Sequence, residues 1–182
     1  MKYTWIMREL SGIKPQDILI LLKIVTSKGS LKQNDIAHSL ELSQAEVSHG
    51  IARLKHANLL AHDGSIKKSN VTEFLTHGLK YIFPPSFGPI TIGVPTGHSL
   101  TSLDFVRHSE EDVFVWPYAE GTAKGQALLP IYASVPAASL VDEKLHELLA
   151  LVDMIRAGRA REVSLAIKEL RDRISEWKYA RS

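Results

Sequence analysis

The sequence predicts an α+β protein that is mainly α-helical, and three observations lead to this class. Apolar residues recur at helical spacing within residues 1–80 and again after residue 141. Between them, residues 81–140 are rich in glycine and proline and contain short β-branched and aromatic runs, which are typical of strands and loops. We therefore divide the chain into an N-terminal helical domain (1–80), an irregular β and loop segment (81–140) and a C-terminal helical hairpin (141–182).

The first helix is predicted over residues 15–29. Pro15 suits a first helical turn, where its missing N–H has no partner to lose, and Gly29 suits the end. The apolar side chains that form its buried stripe are Ile18, Leu21, Leu22 and Val25. After it, Ser30 and Leu31 are expected to form a short strand, and the next helix is expected to begin at Gln33 or Asn34.

Two further helices are predicted in the segment 33–58. Glu41 and Leu42 separate them, and Ser43 with Glu46 forms a capping box in which each side chain satisfies the backbone N–H of the other residue. The second of these helices has a buried stripe of Val47, Ile51 and Leu54 at i, i+4 and i+7. It is expected to stop at Asn58, because asparagine tolerates the left-handed conformation common at helix ends.

A small hairpin follows the third helix. Leu59, Leu60 and Ala61 lead through the turn dipeptide Asp63-Gly64 into Ile66. Two short helices, a longer third helix and a hairpin are the elements of a winged helix-turn-helix.

The solvent face of the third helix favours a nucleic-acid contact surface over a helix-turn-helix that only packs within the protein. Solvated helix faces are usually rich in lysine and glutamate, but this one carries small and hydrogen-bonding residues that suit a major groove. The two lysines after the hairpin are placed for backbone phosphates, although a plain solvated strand end is an equal alternative. The candidate DNA-binding residues are Gln44, Ala45, Ser48, His49, Ala52, Arg53, Lys67 and Lys68.

Charge is distributed in agreement with this assignment. The whole chain has a formal net charge of only +2. Residues 1–80 hold 11 Lys/Arg against 7 Asp/Glu (net +4), residues 81–140 hold 2 against 5 (net −3), and residues 141–182 hold 9 against 8 (net +1). Because steering of a polyanion depends on the local field, the positive N-terminal domain is the part expected to meet DNA.

Residues 42–48, Arg53-Leu54 and residues 57–60 resemble the MarR-type and related winged-helix regulators of bacteria, and the resemblance covers residues 14–68. It implies a sequence-specific, DNA-binding transcriptional regulator, expected to be a repressor, with double-stranded DNA as its partner. These regulators usually carry glycine where this chain has Asn58. They also dimerise through helices that flank the winged domain.

The central and C-terminal segments are predicted in less detail. Residues 91–94 and 113–116 have the composition of short strands, residues 118–125 that of a loop, and residues 70–78 that of a fourth helix. Asp142 is expected to cap a helix that Gly158 ends. A second helix carries a 4-3-4-3 apolar seam, which either packs within the chain or pairs two chains as a homodimer. The seam residues are Val163, Ile167, Leu170, Ile174 and Trp177.

Chemistry-bearing motifs are few. The chain has no cysteine, no HxxxH or HExxH pair and no glycine-rich phosphate loop, so we expect no catalytic, metal or cofactor site. Residues 93–99 interleave hydroxyls and a histidine with glycines, which fits either a turn cluster or a small-anion site. Arg156, Arg159 and Arg161 at the predicted bend are open to three interpretations: solvated charges, complements to a helix end, or phosphate contacts.

These observations favour a cytoplasmic regulator, because neither a signal peptide nor a membrane-spanning run is evident and a cysteine-free chain fits a reducing compartment. Operator occupancy by a dimer that reads two half-sites is the expected mechanism. One alternative is an antitoxin-like protein that binds a toxin-like partner enzyme and represses its own operon. Another is a small enzyme built on the central segment.

Overall fold

The fold combines α-helices with one small sheet, in agreement with the predicted α+β class. The computed structural model describes residues 12–28, 31–105 and 112–178. Its helices are α1 (Pro15–Thr26), α2 (Gln33–Ser39), α3 (Gln44–His56), α4 (Lys68–Glu73), α5 (Leu79–Ile82), α6 (Val135–Val141), α7 (Glu143–Ala157) and α8 (Ala160–Ser175). Its strands are β1 (Phe87–Pro95), β2 (Phe114–Pro117) and β3 (Ala123–Leu128). A π-helical turn (Phe74–Gly78) joins α4 to α5, and a 3-10 turn (Gly97–Ser99) follows β1.

The first three helices begin where the capping signals place them. Pro15 opens α1, Gln33 opens α2, and Ser43 precedes α3 with both hydrogen bonds of the predicted capping box formed. Asn58 ends α3 in the left-handed conformation, with φ of 59°. The capping residues in the sequence therefore predict where these helices begin and where α3 ends.

The hairpin after α3 is smaller than the sequence suggested. Leu60 and Ile66 form one isolated antiparallel bridge, and the turn between them contains Gly64 at φ of 87°. Leu31 is not in a strand, so the expected pairing of residues 30–31 with the hairpin is wrong at Leu31, while Ser30 lies outside the described residues. The hairpin is closed by backbone hydrogen bonds from Ala61 to Ser65 and from Lys67 to Leu59, at 2.8 and 2.9 Å.

The sheet closes on itself. β1 pairs antiparallel with both β2 and β3, and these two strands pair parallel with each other. The strand predicted at 91–94 lies within β1, and the one predicted at 113–116 forms one residue later as β2. The loop predicted at 118–125 is wrong at its end because β3 begins at Ala123. Gly125 faces the backbone of Val113 at a distance that leaves no room for a Cβ atom. A glycine that looked like a loop signal is thus required for close strand packing.

The C-terminal hairpin is confirmed, and α6, which the sequence did not indicate, precedes it. Asp142 caps α7 by accepting a hydrogen bond from the Leu145 backbone N–H, and Gly158 ends that helix. The apolar seam of α8 packs within the chain: Leu170, Ile174 and Trp177 are all buried in the same core as α7. These three seam residues therefore pack within the chain, while Val163 and Ile167 are only partly buried.

One hydrophobic core joins the three sequence segments. It contains residues of α1 to α5, Val94 of β1, Trp116 of β2, and the inner faces of α6, α7 and α8. In the part of the chain that the structure describes, no helix combines the length and apolarity needed to cross a membrane.

Candidate nucleic-acid interface

Helix α3 is held against α1 by close backbone packing. Val47 and Leu54 are fully buried, as predicted, while Ile51 is only partly buried. Gly50 completes the buried stripe instead. A Cβ atom at Gly50 would lie 2.6 Å from Ile20 Cδ1. The absence of a side chain at this position therefore sets the distance between α1 and α3.

The Arg53 side chain binds Asp17 at the contact between α1 and α3 and does not point to the solvent face. Its Nε and Nη2 atoms donate to the two carboxylate oxygens of Asp17 on α1, at 2.7 and 2.6 Å. Asp17 is completely buried, and the Arg53 side chain is 13% exposed. The hydrogen bonds to Asp17 raise the pKa of the Arg53 guanidinium. The pair uses two of the five guanidinium N–H donors, so a base contact by Arg53 would compete with the packing of α3 on α1.

The outer face of α3 remains open. Its exposed residues are Gln44, Ala45, Ser48, His49, Ala52 and His56. The one acid of the helix, Glu46, turns back to the helix start and accepts from the Ser43 backbone N–H at 3.0 Å. This backbone hydrogen bond, followed by the one from the Ser43 hydroxyl, lowers the pKa of Glu46. The open face therefore carries hydrogen-bonding groups and small side chains but no carboxylate.

The turn between α2 and α3 is supported by the loop that follows β3. The Ser134 hydroxyl donates to the Leu40 carbonyl at 2.7 Å, and Tyr132 lies beside Glu46. Burial first, and the negative charge of Glu46 second, raise the pKa of the Tyr132 hydroxyl. The central segment thus contacts α2 and α3 near the turn between them. These contacts do not cover the outer face of α3. Nothing in the sequence of the loop pointed to this role.

The two lysines after the hairpin have different surroundings. Lys67 Nζ donates to Asn58 Oδ1 at 2.7 Å, so this ammonium group lies beside the C-terminal end of α3. Lys68 Nζ donates to the Ser175 carbonyl at the end of α8, at 2.6 Å. Both residues are exposed. Only Lys67 therefore sits next to the candidate interface, whereas Lys68 joins α4 to α8.

The three arginines at the α7–α8 bend have different contacts. Arg156 is almost fully buried and donates to Asp153, while its other nitrogens reach the carbonyls of Phe83 and Pro84. Arg159 pairs with Asp112 on the surface, and Arg161 is exposed. Arg161 fits the interpretation of a solvated charge. Arg156 has a structural role, which none of the three interpretations included.

Asp153 is the centre of a second polar cluster that sequence reasoning missed. Its Oδ2 accepts from Trp116 Nε1 at 2.6 Å and from Thr96 Oγ1 at 2.9 Å, and its Oδ1 accepts from Arg156 at 2.6 Å. Burial raises the pKa of this carboxyl, while the charge of Arg156 acts in the opposite direction. The cluster joins α7 to β1 and β2. The glycine-flanked segment 93–99 therefore belongs to the scaffold, since its Thr96 and His98 are buried.

Comparisons of the chain with protein-family descriptions, with curated proteins and with solved structures gave no match. The functional assignment therefore depends on the geometry of this molecule.

Proposed function

We propose that the protein is a sequence-specific, DNA-binding transcriptional regulator that acts as a repressor. Helices α2 and α3 with the hairpin at Leu60 and Ile66 would serve as a winged helix-turn-helix, with α3 in the major groove and the hairpin against the backbone. The observation that carries the proposal is the acid-free outer face of α3, where all six outward residues are exposed.

Residue types on this face suit base recognition. Glutamine, serine and histidine offer donors and acceptors for base edges, and alanine lets a helix approach the groove floor or contact a thymine methyl. Ala45 and Ala52 lie near the middle of the face, with His49 between them along the helix. The proposed contact set is therefore Gln44, Ala45, Ser48, His49 and Ala52, with Lys67 on an adjacent phosphate.

The two alanines provide the test. A duplex selected from a random pool by the wild-type protein would serve as the probe, at fixed salt concentration. Ala45→Glu and Ala52→Glu each place a carboxylate against the phosphate-lined groove, and each is expected to weaken binding at least tenfold, about 1.4 kcal/mol. Both positions are exposed, so the fold should tolerate the change.

Ala160→Glu is the matched control, since it adds the same charge at an exposed position in the first turn of α8. Its affinity for the duplex is expected to equal that of the wild type. If the three glutamate variants bind alike, or if the wild-type protein selects no duplex from the pool, the proposed function is wrong.

A further inference from the structure

The formally charged side chains of α3 are all engaged in contacts within the molecule. Glu46 accepts from the N-cap backbone N–H at 3.0 Å. Arg53 donates to Asp17 at 2.7 and 2.6 Å, and Lys55 Nζ donates to the His62 carbonyl of the hairpin at 2.9 Å. The helix lies entirely within the described residues and contains no other lysine, arginine, aspartate or glutamate. The outer face of α3 therefore carries no formal charge when histidine is counted as neutral.

The side chains of the outer face, in contrast, are free to bind another molecule. Gln44, Ser48 and His49 are exposed, and their side chains make no hydrogen bond to any of the described residues. At roughly 100° per residue, Ala45 and Ala52 lie at the centre of the face, with Gln44 and Ser48 on one side and His49 on the other. In a groove, this face would bring two methyl groups nearest to the base edges and flank them with free donors and acceptors.

The outer face lacks the groups that usually read G·C pairs. In the major groove, guanine is read by arginine or lysine through O6 and N7, and cytosine by a carboxylate that accepts from N4. Reading guanine with Arg53 would separate it from Asp17, and this would leave a fully buried carboxylate without its partner. A G·C pair therefore meets no free cation or carboxylate on this face.

Adenine and thymine do have matching groups on the face. The amide of Gln44 suits adenine, where it can bond to N6 and N7 together, and the methyl groups of Ala45 and Ala52 suit the C5-methyl group of thymine. Ser48 and His49 can each donate to N7, which both purines carry, so they do not favour G·C pairs. Gln44 is the first residue of α3, and the N-terminal residues of a recognition helix are those that contact base edges.

We infer that α3 reads a half-site of A·T and T·A pairs in the major groove, with Gln44 on adenine and the two alanines on thymine methyl groups. The inference rests on the proposed function, because it names the DNA that the proposed interface selects. Since the outer face brings no cation to the groove, discrimination between bases depends on hydrogen bonds and methyl contacts. Removing the matching group from a base should therefore weaken binding directly.

Base analogues in a duplex selected by the wild-type protein test the inference. Selection from a random pool is expected to enrich A·T pairs in the half-site. Replacing adenine with 7-deazaadenine removes N7 and is expected to weaken binding about 5- to 150-fold, the range for one bidentate contact. Replacing thymine with uracil removes the C5-methyl group and is expected to weaken binding about fourfold per contact, the value for one buried methyl group.

Hypoxanthine–cytosine pairs separate the contributions of the two grooves. Such a pair keeps the minor-groove pattern of A·T, because hypoxanthine lacks the N2 amino group of guanine, but it presents the major-groove pattern of G·C. Substituting it for the selected A·T pairs is expected to reduce the affinity to that for a random duplex. If the affinity is unchanged, the preference for A·T comes from the minor groove or from DNA shape, and the inference is wrong.

Gln44→Ala tests the assignment of the adenine contact. At the position that Gln44 reads, the variant should bind adenine and 7-deazaadenine duplexes equally, because the contact is already lost. Gln33→Ala is the matched control, since it makes the same change at the exposed first residue of α2, and it should retain the full sensitivity to 7-deazaadenine. Far-UV circular dichroism establishes that each variant is folded. A folded Gln44→Ala protein that is as sensitive as the wild type at every adenine overturns the assignment.

The outcomes separate this inference from the proposed function. A selected half-site of G·C pairs, whose binding Ala45→Glu still weakens, contradicts only the inference and leaves α3 as the DNA-binding helix. A protein that selects no duplex contradicts the proposed function, and the inference is then wrong as well.

Discussion

Arg53 shows how a residue on the helix proposed to bind DNA can be required for the fold. Its guanidinium makes two short hydrogen bonds to Asp17, a carboxylate with no exposed surface. Removing one partner of such a pair leaves a buried charge without compensation, which costs much more than the net contribution of the pair itself. Loss of DNA binding in a variant of Arg53 would therefore report first on the packing of α3 against α1.

Replacing Arg53 and His49 separately tests this distinction. Arg53→Ala is expected to lower the free energy of unfolding by about 3 kcal/mol, measured by urea denaturation, because Asp17 stays buried without its partner. His49→Ala should change stability by less than about 0.5 kcal/mol, since the side chain is exposed. If His49 reads a base, the same variant should lose about 1–3 kcal/mol of specific affinity. An Arg53→Ala protein with wild-type stability but no DNA binding would show that Arg53 contacts DNA directly.

At the scale of secondary-structure elements, the start of α4 links the candidate interface to the C-terminal hairpin. Asn58 accepts from Lys67 through its side chain and from Asn70 through its carbonyl, so the end of α3 and the first turn of α4 are held together. Lys68, one residue further, reaches α8. Lys67, just before α4, and Lys68, its first residue, therefore contact two different parts of the molecule.

The salt dependence of DNA binding should reflect this division. Lys67→Gln is expected to weaken binding to all duplexes about equally and to reduce the slope of log affinity against log salt by about 1, the value for one phosphate contact. Adding Lys68→Gln should reduce the slope little further. Lys168→Gln, at an exposed position on α8, is the control with the same charge change. A reduction of about 2 in the double variant would place both ammonium groups on phosphates.

At the scale of the whole molecule, the Asp153 cluster holds the sheet to the helical body. Thr96 follows β1, Trp116 lies in β2, and Asp153 and Arg156 are on α7, so one carboxylate receives donors from three elements. Along β1, Phe87, Ile90 and Ile92 precede this anchor and are exposed. The buried cluster thus joins the C-terminal end of β1 to α7.

Asp153→Ala is expected to lower the free energy of unfolding by about 3–5 kcal/mol, because Arg156, Trp116 and Thr96 would all lose a buried hydrogen-bond partner. Chemical denaturation followed by tryptophan fluorescence measures the loss. Asp172→Ala, which removes an exposed carboxylate from α8, should stay within about 0.5 kcal/mol of the wild type. A loss below about 1 kcal/mol for Asp153→Ala would mean that the cluster does not stabilise the junction.

The sequence by itself determined the features that depend on neighbours along the chain. The capping box of Ser43 and Glu46, the left-handed Asn58, the Asp142 cap and the end of α7 at Gly158 all follow from interactions within a few residues. Helical periodicity likewise predicted the outer face of α3, because a regular helix assigns each residue a direction. These predictions concern local conformation, and the structure agrees with them.

The tertiary structure alone decided which side chains are free to act. Arg53 and Lys68 had the residue types and positions of DNA contacts, but their partners lie 36 and 107 residues away in the chain. The Trp116–Asp153 bond spans 37 residues, and β3 depends on the approach of Gly125 to Val113. Helical spacing and capping chemistry contain no information about such pairs, because a contact between distant residues is set by how whole elements pack.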